Sequence, residues 1–278
     1  MQVIAGFGYT GLHLAPLISE PTLALARHAS QRTPAHIQAI DTDLEGDLSH
    51  LPFDQPLQIL YLAPPGNPEG GTTDIRLSNF LNRLFKVNYP VHLVYVSTSG
   101  VYGNCHGAWV NEQTPLRPVT LRAKRRVDAE HQARNWQQQT RQRLTILRVP
   151  GIYGPSRLPT DKPRTALLAE ADAPPTNLIH VEDLARCLLA CLRQTQAYDC
   201  YNVSDTQVTT STRFFLTAAE LTGTPVPPVI SWAQAQQQFD ERRLSFLQES
   251  RRLSIQHMQQ LPVTLRYTTL AEGIRASI

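Results

Sequence analysis

Short apolar runs alternate with helical patterns over the first two hundred residues of the chain. The runs fall at residues 3–5, 23–26, 58–63, 91–96 and 144–149. Few polar positions interrupt them, which is typical of strands buried on both faces of a parallel sheet. Helices are predicted between or after these runs, at residues 12–18, 79–85, 122–141 and 183–193. The alternation predicts an α/β fold with right-handed crossovers and a doubly wound parallel sheet.

The last quarter of the chain has a different pattern. A proline-rich segment at residues 225–228 precedes a glutamine-rich stretch at residues 234–238. Because Trp232 and Phe239 flank that stretch at helical distance, it predicts a helix with a solvated face rather than low complexity. The predicted division is a larger part, residues 1–155 and 176–204, and a smaller C-terminal cap, residues 156–175 and 205–278.

Composition excludes several classes of protein. With 41% hydrophobic and 18% charged residues, the chain is not disordered along its length. The apolar run at residues 59–65 is far too short to span a bilayer. The first residues carry no secretory signal pattern, and four cysteines in 278 residues form no disulfide framework, so we expect a cytoplasmic protein. A net charge of +3 is too small for a dedicated nucleic-acid binder.

A glycine-rich turn directly follows the first predicted strand. Residues 6–11 read G-F-G-Y-T-G, a G-x-G-x-x-G pattern between a strand and a helix. The first glycine permits the tight turn, the second lets the backbone approach a pyrophosphate, and the third allows the helix to pack closely. The turn predicts a dinucleotide cofactor whose phosphates contact Gly6, Phe7, Gly8, Tyr9, Thr10 and Gly11.

The end of the second predicted strand indicates which dinucleotide to expect. A site for NAD usually has an acidic residue about 20 positions after the turn. Here the strand ends in Ala26, Arg27 and His28, without a carboxylate. A planar guanidinium suits a 2′-phosphate, so Arg27 favours NADP, with NAD as the other possibility. The alternative is an exposed loop arginine.

A cluster of hydroxyl groups follows the fourth predicted strand. Residues 94–103 read V-Y-V-S-T-S-G-V-Y-G, which places Ser97, Thr98 and Ser99 at a strand end. Ligands of open α/β sheets bind beyond the carboxyl ends of the strands. These hydroxyls therefore either orient a substrate alcohol or carbonyl, or cap the strand end.

The order of motifs along the chain resembles that of the extended short-chain dehydrogenase/reductase family, in an atypical branch. The motifs are GFGYTG at 6–11, YLAPP at 61–65, YVSTSGVYG at 95–103, NEQTPLRP at 111–118, LRVPGIYGP at 147–155, NLIHVEDLA at 177–185 and YNVSD at 201–205. The resemblance implies a Rossmann-like fold and an NAD(P)-dependent epimerase, dehydratase or reductase acting on a sugar or nucleotide-sugar. The larger part would bind the cofactor, the C-terminal cap would lie on the substrate side, and the protein would be a monomer or a homodimer.

The resemblance also assigns roles to individual residues. Thr98 matches the catalytic Ser/Thr of the family, beside Ser97. Residues 63 and 64 match the segment beside the cofactor ribose, and residues 150–153 match the segment that flanks the nicotinamide. The cofactor-binding residues that the resemblance adds are Ala63, Pro64, Ser97, Pro150 and Ile152. No metal ligand is expected.

One departure from the family concerns the proton chemistry. The family expects Tyr-x-x-x-Lys on the helix after residue 118, and alignment on residues 127–130 puts Arg122 and Arg126 at those positions. Arg126 can still hold the cofactor ribose, but a guanidinium stays protonated and is no general acid/base. Tyr102 and Tyr153 are the candidate substitutes. The alternative function is a catalytically silent NADP-binding sensor or scaffold.

Two pairs of arginines near the C-terminus offer a further candidate. Arg242 with Arg243, and Arg251 with Arg252, either face an anionic substrate such as a nucleotide-sugar diphosphate or lie on a solvated helix face, and the second interpretation is favoured.

Overall fold

The computed structural model describes residues 1–67, 69–193 and 198–278. In this part of the chain the strands are β1 (Gln2–Ala5), β2 (Thr22–Ala26), β3 (Gln38–Asp41), β4 (Leu57–Tyr61), β5 (Val91–Thr98), β6 (Trp109–Val110), β7 (Arg143–Val149), β8 (Gly151–Tyr153), β9 (Leu167–Leu168), β10 (Pro175–Thr176), β11 (Leu178–His180), β12 (Cys200–Asn202), β13 (Thr209–Thr210), β14 (Val229–Ile230) and β15 (Arg252–Leu253). The helices are α1 (Tyr9–Leu14), α2 (Ile75–Leu84), α3 (Leu121–Thr140), α4 (Val181–Arg193), α5 (Ser211–Thr222), α6 (Trp232–Gln238), α7 (Glu241–Gln248) and α8 (Leu270–Arg275). None of the helices in these ranges combines the length and the hydropathy that a membrane span requires.

Seven parallel strands form the central sheet, in the order β12-β7-β5-β4-β1-β2-β3. Strand β1 lies between β2 and β4, with Ile4 opposite Ala24 on one side and Leu60 on the other. The chain therefore winds outward in both directions from β1, which is the doubly wound Rossmann order. The predicted fold class is confirmed.

Helices cover both faces of this sheet. Val3 and Ile59 pack on the side of α2 and α3, in a cluster that includes Phe80 and Trp136. Ile4 and other alternate strand residues pack on the side of α1 and α4. Because successive strand residues point to opposite faces, both sets must be apolar, and this explains the uninterrupted apolar runs.

The edge of the sheet at β3 departs from the predicted alternation. Strand β3 reads Q-A-I-D and has no buried residue, so no apolar run marks it in the sequence. Its two neighbours in the chain, β2 and β4, are joined to it without a helix. An edge strand is paired on one side only, and it needs no continuous apolar run.

The C-terminal quarter is tied to the sheet region by short strand pairs. Strand β15 pairs with β6 in parallel, with Arg252 opposite Trp109. Strand β14 pairs with β9, and β8 pairs with β11 beyond the end of β7. The glutamine-rich stretch forms α6 as predicted, with Ala235 buried and the glutamines exposed. Of these pairs, the one between β6 and β15 joins the C-terminal quarter to the segment that follows β5.

Candidate functional site

The three glycines of the turn have different surroundings. Gly6 and Gly11 are closely packed against other residues, whereas Gly8 faces open space. Gly6 has φ of 90°, and a Cβ built on it would lie 2.5 Å from the backbone nitrogen of Ala63. A Cβ on Gly11 would lie 2.9 Å from the Phe7 ring. In contrast, a Cβ on Gly8 would have only the Gly6 carbonyl oxygen within 4 Å, at 3.9 Å. The surface of the turn at Gly8 is therefore open to a ligand.

A cleft of about 940 Å³ extends from this turn across the carboxyl ends of β1, β4, β5 and β7. Its far side is formed by residues of the C-terminal quarter, including Phe214, Leu247 and Arg251. Of the residues predicted from the sequence, the cleft is lined by Gly6, Gly8, Tyr9, Thr10, Pro64, Ser97, Thr98, Arg126, Pro150 and Ile152. The structure thus brings the predicted phosphate turn, hydroxyl cluster and nicotinamide segment to one cavity.

Four of the predicted cofactor-binding residues lie outside the lining of this cleft. The Phe7 side chain is 1% exposed and packs in the core beneath Gly11. Ala63 is buried behind Gly6, where its backbone sets the shape of the turn. Arg27 is exposed at the surface after β2. Phe7, Gly11 and Ala63 therefore set the shape of the turn, and Arg27 is not part of the cavity wall.

The two tyrosines predicted as acid/base candidates point away from the cleft. The Tyr102 hydroxyl donates to Asn202 Oδ1 at 2.7 Å and accepts from Arg148 Nη1 at 3.0 Å. The Tyr153 ring is 1% exposed and packs on His180 and Phe214. Burial raises the pKa of both phenols well above its ordinary value. Neither group has the access or the acidity for proton transfer to a ligand in the cleft.

Two hydroxyls of the cluster, those of Thr98 and Ser99, have no hydrogen-bond acceptor among the described residues, and both residues line the cleft. Ser97 Oγ donates to Glu130 Oε1 at 2.6 Å, so its proton is committed to a buried carboxylate. Thr98 Oγ1 accepts from the backbone N–H of Gly100 at 3.3 Å and caps a short 3₁₀ turn, Ser99–Tyr102. Within the described residues no acceptor takes the Thr98 proton, so this hydroxyl can donate to a ligand oxygen.

Arginines dominate the charge of the cleft. The six that line it are Arg122, Arg125, Arg126, Arg157, Arg164 and Arg251. Glu249 is the acidic residue in the same lining, and it is paired with Arg251 at 2.9 Å. Such an excess of guanidinium groups creates a positive potential that favours an anionic ligand, above all one with phosphate groups.

Helix α3 supplies three of these arginines from one end. Its first turn begins after the Thr120 cap, whose side chain accepts from the Ala123 N–H. The Arg126 guanidinium donates to the Val96 carbonyl at 2.7 Å and to the Tyr95 hydroxyl at 3.0 Å. Arg122 is exposed and makes no hydrogen bond with the described residues. Arg126 is thus fixed to the end of β5, and Arg122 remains available to a ligand.

The position of Arg251 differs from the one that the sequence analysis favoured for the C-terminal arginines. The favoured reading, a solvated helix face, is wrong for this residue, which is 8% exposed and lies between α7 and β15. Its guanidinium donates to the carbonyls of Ser99 and Gly103 at 2.9 Å each. These carbonyls lie in the turn after β5, where a buried oxygen needs a donor from elsewhere in the chain.

The order of the sheet and the sites at its carboxyl edge agree with a family match. A sequence model described as the NAD dependent epimerase/dehydratase family matches residues 3–204. The chain belongs to this family. The resemblance to extended short-chain dehydrogenases/reductases, seen first in the order of motifs, is confirmed.

Solved structures of similar fold include proteins of known and unknown activity. A conserved protein of unknown function from Silicibacter pomeroyi DSS is 28% identical, with a TM-score of 0.82 over 99% of this chain and 96% of that chain. UDP-glucuronic acid 4-epimerase from Bacillus cereus, in complex with NAD, is 15% identical, with a TM-score of 0.78 over 100% and 97%. dTDP-glucose 4,6-dehydratase from Bacillus anthracis str. Ames, in complex with NAD, is 15% identical, with a TM-score of 0.76 over 99% and 94%. A search of curated proteins finds no match.

The sequence analysis did not predict three of the arginines that line the cleft, Arg125, Arg157 and Arg164. Arg125 donates to the Gly71 carbonyl at 2.5 Å, and the Arg157 guanidinium lies 3.8 Å from the centre of the Tyr9 ring. Arg164 reaches the same cavity from the segment after β8. Arg157 lies two residues after the end of the LRVPGIYGP motif, so its position was a usable signal. Nothing in the sequence around Arg164 distinguishes it from a surface residue.

Proposed function

We propose that the protein is an NAD(P)-dependent enzyme that acts on a sugar or nucleotide-sugar with a non-standard active site lacking Tyr-x-x-x-Lys. The observation that carries this proposal is the continuous cleft between the glycine turn and the C-terminal quarter, with Thr98 between them and six arginines in its lining. One cavity of this size and charge suits a dinucleotide beside a second phosphate-bearing ligand.

The residues at the turn fit a dinucleotide. The open space at Gly8 is where a side chain would exclude a pyrophosphate, and Gly6 lies beside it. Pro64 would lie along a ribose, and Pro150 with Ile152 would flank a nicotinamide. A bound nicotinamide dinucleotide would supply or accept hydride. NADP remains part of the proposal through Arg27, and NAD is the cofactor named with the two Bacillus enzymes.

The arginine at the tyrosine position can stabilise negative charge on a reacting oxygen but cannot relay its proton. The first turn of α3 lies beside the 3₁₀ turn after Thr98, since a Cβ on Gly100 would be 3.9 Å from the Ala123 Cβ. Arg122 cannot take a proton from an alcohol, but its positive charge stabilises an alkoxide. With Thr98 donating to the same oxygen, the site would stabilise the alkoxide-like transition state that carbonyl reduction and hydroxyl oxidation share, and solvent water would supply or take up the proton.

A catalytically silent NADP-binding sensor or scaffold is the second candidate. Tyr9 supports this candidate. It is the one tyrosine among the described residues that line the cleft, and its phenol is poorly suited to proton transfer. Its hydroxyl donates to the Pro155 carbonyl at 3.0 Å. Burial is the main reason that its pKa is raised to about 12. The cleft therefore holds no phenol suited to transfer a proton near neutral pH.

Titration with NADPH and NADH, followed by turnover, separates these candidates. We expect binding of at least one dinucleotide and oxidation of NADPH or NADH in the presence of a UDP-linked 4-keto sugar. Binding without turnover over a panel of nucleotide-linked keto sugars and hydroxy sugars supports the silent protein. If neither dinucleotide binds, both candidates fail.

Arg122 gives a further prediction for the same cleft. Replacement of Arg122 with alanine weakens UDP binding by roughly tenfold, because a charge-assisted contact to phosphate is lost. Calorimetric titration with UDP measures the affinity. Lys124→Ala is the matched control, since it removes one positive charge from an exposed position of the same helix outside the cleft. Equal losses in both variants would mean that net charge, and not a contact of Arg122, decides UDP affinity.

Compartment and assembly belong to the same proposal. The four cysteines are free thiols, which supports a reducing cytoplasm. We place the protein there as a monomer or a homodimer that binds neither nucleic acid nor membrane.

A further inference from the structure

A second cavity lies beside the cleft and has a different character. Its volume is about 410 Å³, within the range of small-molecule sites. Asn177 lines both cavities, and the other walls come from β6, the segment after β12 and the segment after β15. Nothing in the proposed reaction requires this cavity.

Trp109 forms one wall and is 64% exposed. Its backbone is fixed in β6, which pairs with β15, so the indole projects from an ordered strand. A tryptophan is usually largely buried, because its ring is the largest apolar side chain. An exposed, fixed indole at the mouth of a cavity offers a flat apolar surface to a ligand.

Polar groups with spare hydrogen-bonding capacity face this indole across the cavity. One Asp205 oxygen accepts a long bond of 3.4 Å from the Gln207 N–H, and the other has no partner among the described residues. Thr206 Oγ1 donates to the Thr268 carbonyl at 3.2 Å and can still accept. The exposed amides of Gln256 and Gln259 complete the rim.

The floor of the cavity is rigid. Asn177 Nδ2 donates to the Arg251 carbonyl at 3.0 Å, and Asn177 Oδ1 accepts from the Leu253 N–H at 3.0 Å. Burial, with a smaller contribution from the nearby Asp183 charge, raises the pKa of Asp205 to about 7. Near neutral pH its carboxyl group can therefore either accept or donate a hydrogen bond.

The two cavities differ most in charge. Six arginines line the cleft, whereas the described lining of the second cavity contains no arginine or lysine and one carboxyl group. Phosphates are therefore disfavoured in the second cavity. An uncharged ligand with one apolar face and several hydroxyl groups matches an indole opposite carboxyl, hydroxyl and amide groups.

We propose that the second cavity is a carbohydrate-binding site, separate from the cleft, in which one neutral pyranose ring stacks on Trp109 and hydrogen-bonds to Asp205 and Thr206. The site does not depend on the proposed function of the cleft, because none of the groups that bind the ring is in the cleft lining.

The test uses the full chain with ¹⁵N-labelled tryptophan. The Trp109 indole N–H resonance, assigned with Trp109→Phe, is followed during titration with methyl glucoside, methyl galactoside, methyl mannoside and N-acetylglucosamine. We expect at least one of these sugars to shift the resonance saturably, and to do so equally in the presence of saturating UDP. If no sugar shifts it, or if UDP abolishes the shift, the proposal of a separate site is overturned.

Variants decide whether the indole and the carboxyl group carry the binding. Trp109→Ala and Asp205→Asn are each expected to weaken binding of the responding sugar by roughly tenfold or more, measured by calorimetry. Tyr89→Ala is the control, because it removes another exposed aromatic ring that lines neither cavity. Unchanged affinity in both test variants contradicts the proposal. If Trp109→Ala does not fold, Asp205→Asn alone decides between the two outcomes.

Discussion

Replacing Arg148 with alanine lowers the free energy of unfolding by about 3–5 kcal/mol, because it leaves a buried carboxylate without its counter-charge. Arg148 and Glu130 are 3% and 1% exposed, and their side chains meet through two hydrogen bonds of 2.8 and 3.1 Å. The same guanidinium also donates to the Tyr102 hydroxyl and to the Glu112 carbonyl. Four acceptor oxygens on three residues thus lose a partner in one substitution.

Urea unfolding of the wild type and of Arg148→Ala measures this loss. Arg134→Ala is the control, since it breaks a pair of 2.9 Å between Arg134 and Asp199 at the surface and should cost less than about 1 kcal/mol. The double variant Glu130→Gln/Arg148→Met removes both charges and should recover part of the stability. A loss in Arg148→Ala no larger than that in Arg134→Ala would show that the buried pair contributes little.

Replacing Gly8 with valine abolishes dinucleotide binding while the fold keeps its stability. The φ of Gly8, −129°, lies outside the left-handed region that favours glycine, and the space in front of this residue is open. A valine side chain there occupies the position proposed for the pyrophosphate. We expect affinity for NADPH and NADH to fall at least about 100-fold, and the free energy of unfolding to change by less than about 1 kcal/mol.

Gly6→Ala serves as the contrasting variant. Its Cβ would meet the Ala63 backbone at 2.5 Å, in a conformation with φ of 90°, so it should lose stability as well as binding. Calorimetric titration and urea unfolding on the same samples separate the two effects. Normal affinity in Gly8→Val would place the dinucleotide away from the turn.

The sequence was sufficient for five of the seven strands of the central sheet, β1, β2, β4, β5 and β7, because these are buried on both faces. Residues such as Ile4 and Leu60 must be apolar whichever face they meet, so periodicity alone marks β1 and β4. Strand β3 is an edge strand without buried residues, and its composition matches that of a loop. Strand β12 was not predicted, because its three residues, Cys200–Asn202, are too few to form a recognisable apolar run. Helix α2 begins at residue 75, four residues before its predicted start, because Asp74 caps it by accepting from the Leu77 N–H.

The candidate site was predictable where it follows the chain locally and unpredictable where it depends on distant partners. The glycine turn and Thr98 lie at strand ends, so their place at the cleft follows from topology. Tyr102 also lies near a strand end, but its hydroxyl is engaged by Asn202, 100 positions away. The burial of Arg251 depends on carbonyls 148 and 152 positions earlier. No local pattern records such pairings.

The bonds from Arg251 to the turn after β5 have a consequence for the order in which the molecule is made. Chains fold from the N-terminal side while they are synthesised. The glycine turn and strands β1 to β7 can assemble before residue 251 has left the ribosome, whereas the Ser99 and Gly103 carbonyls, the far wall of the cleft and the cavity beside Trp109 must wait for it. Each newly made molecule can therefore form the glycine turn first and close the cleft only at the end of its synthesis.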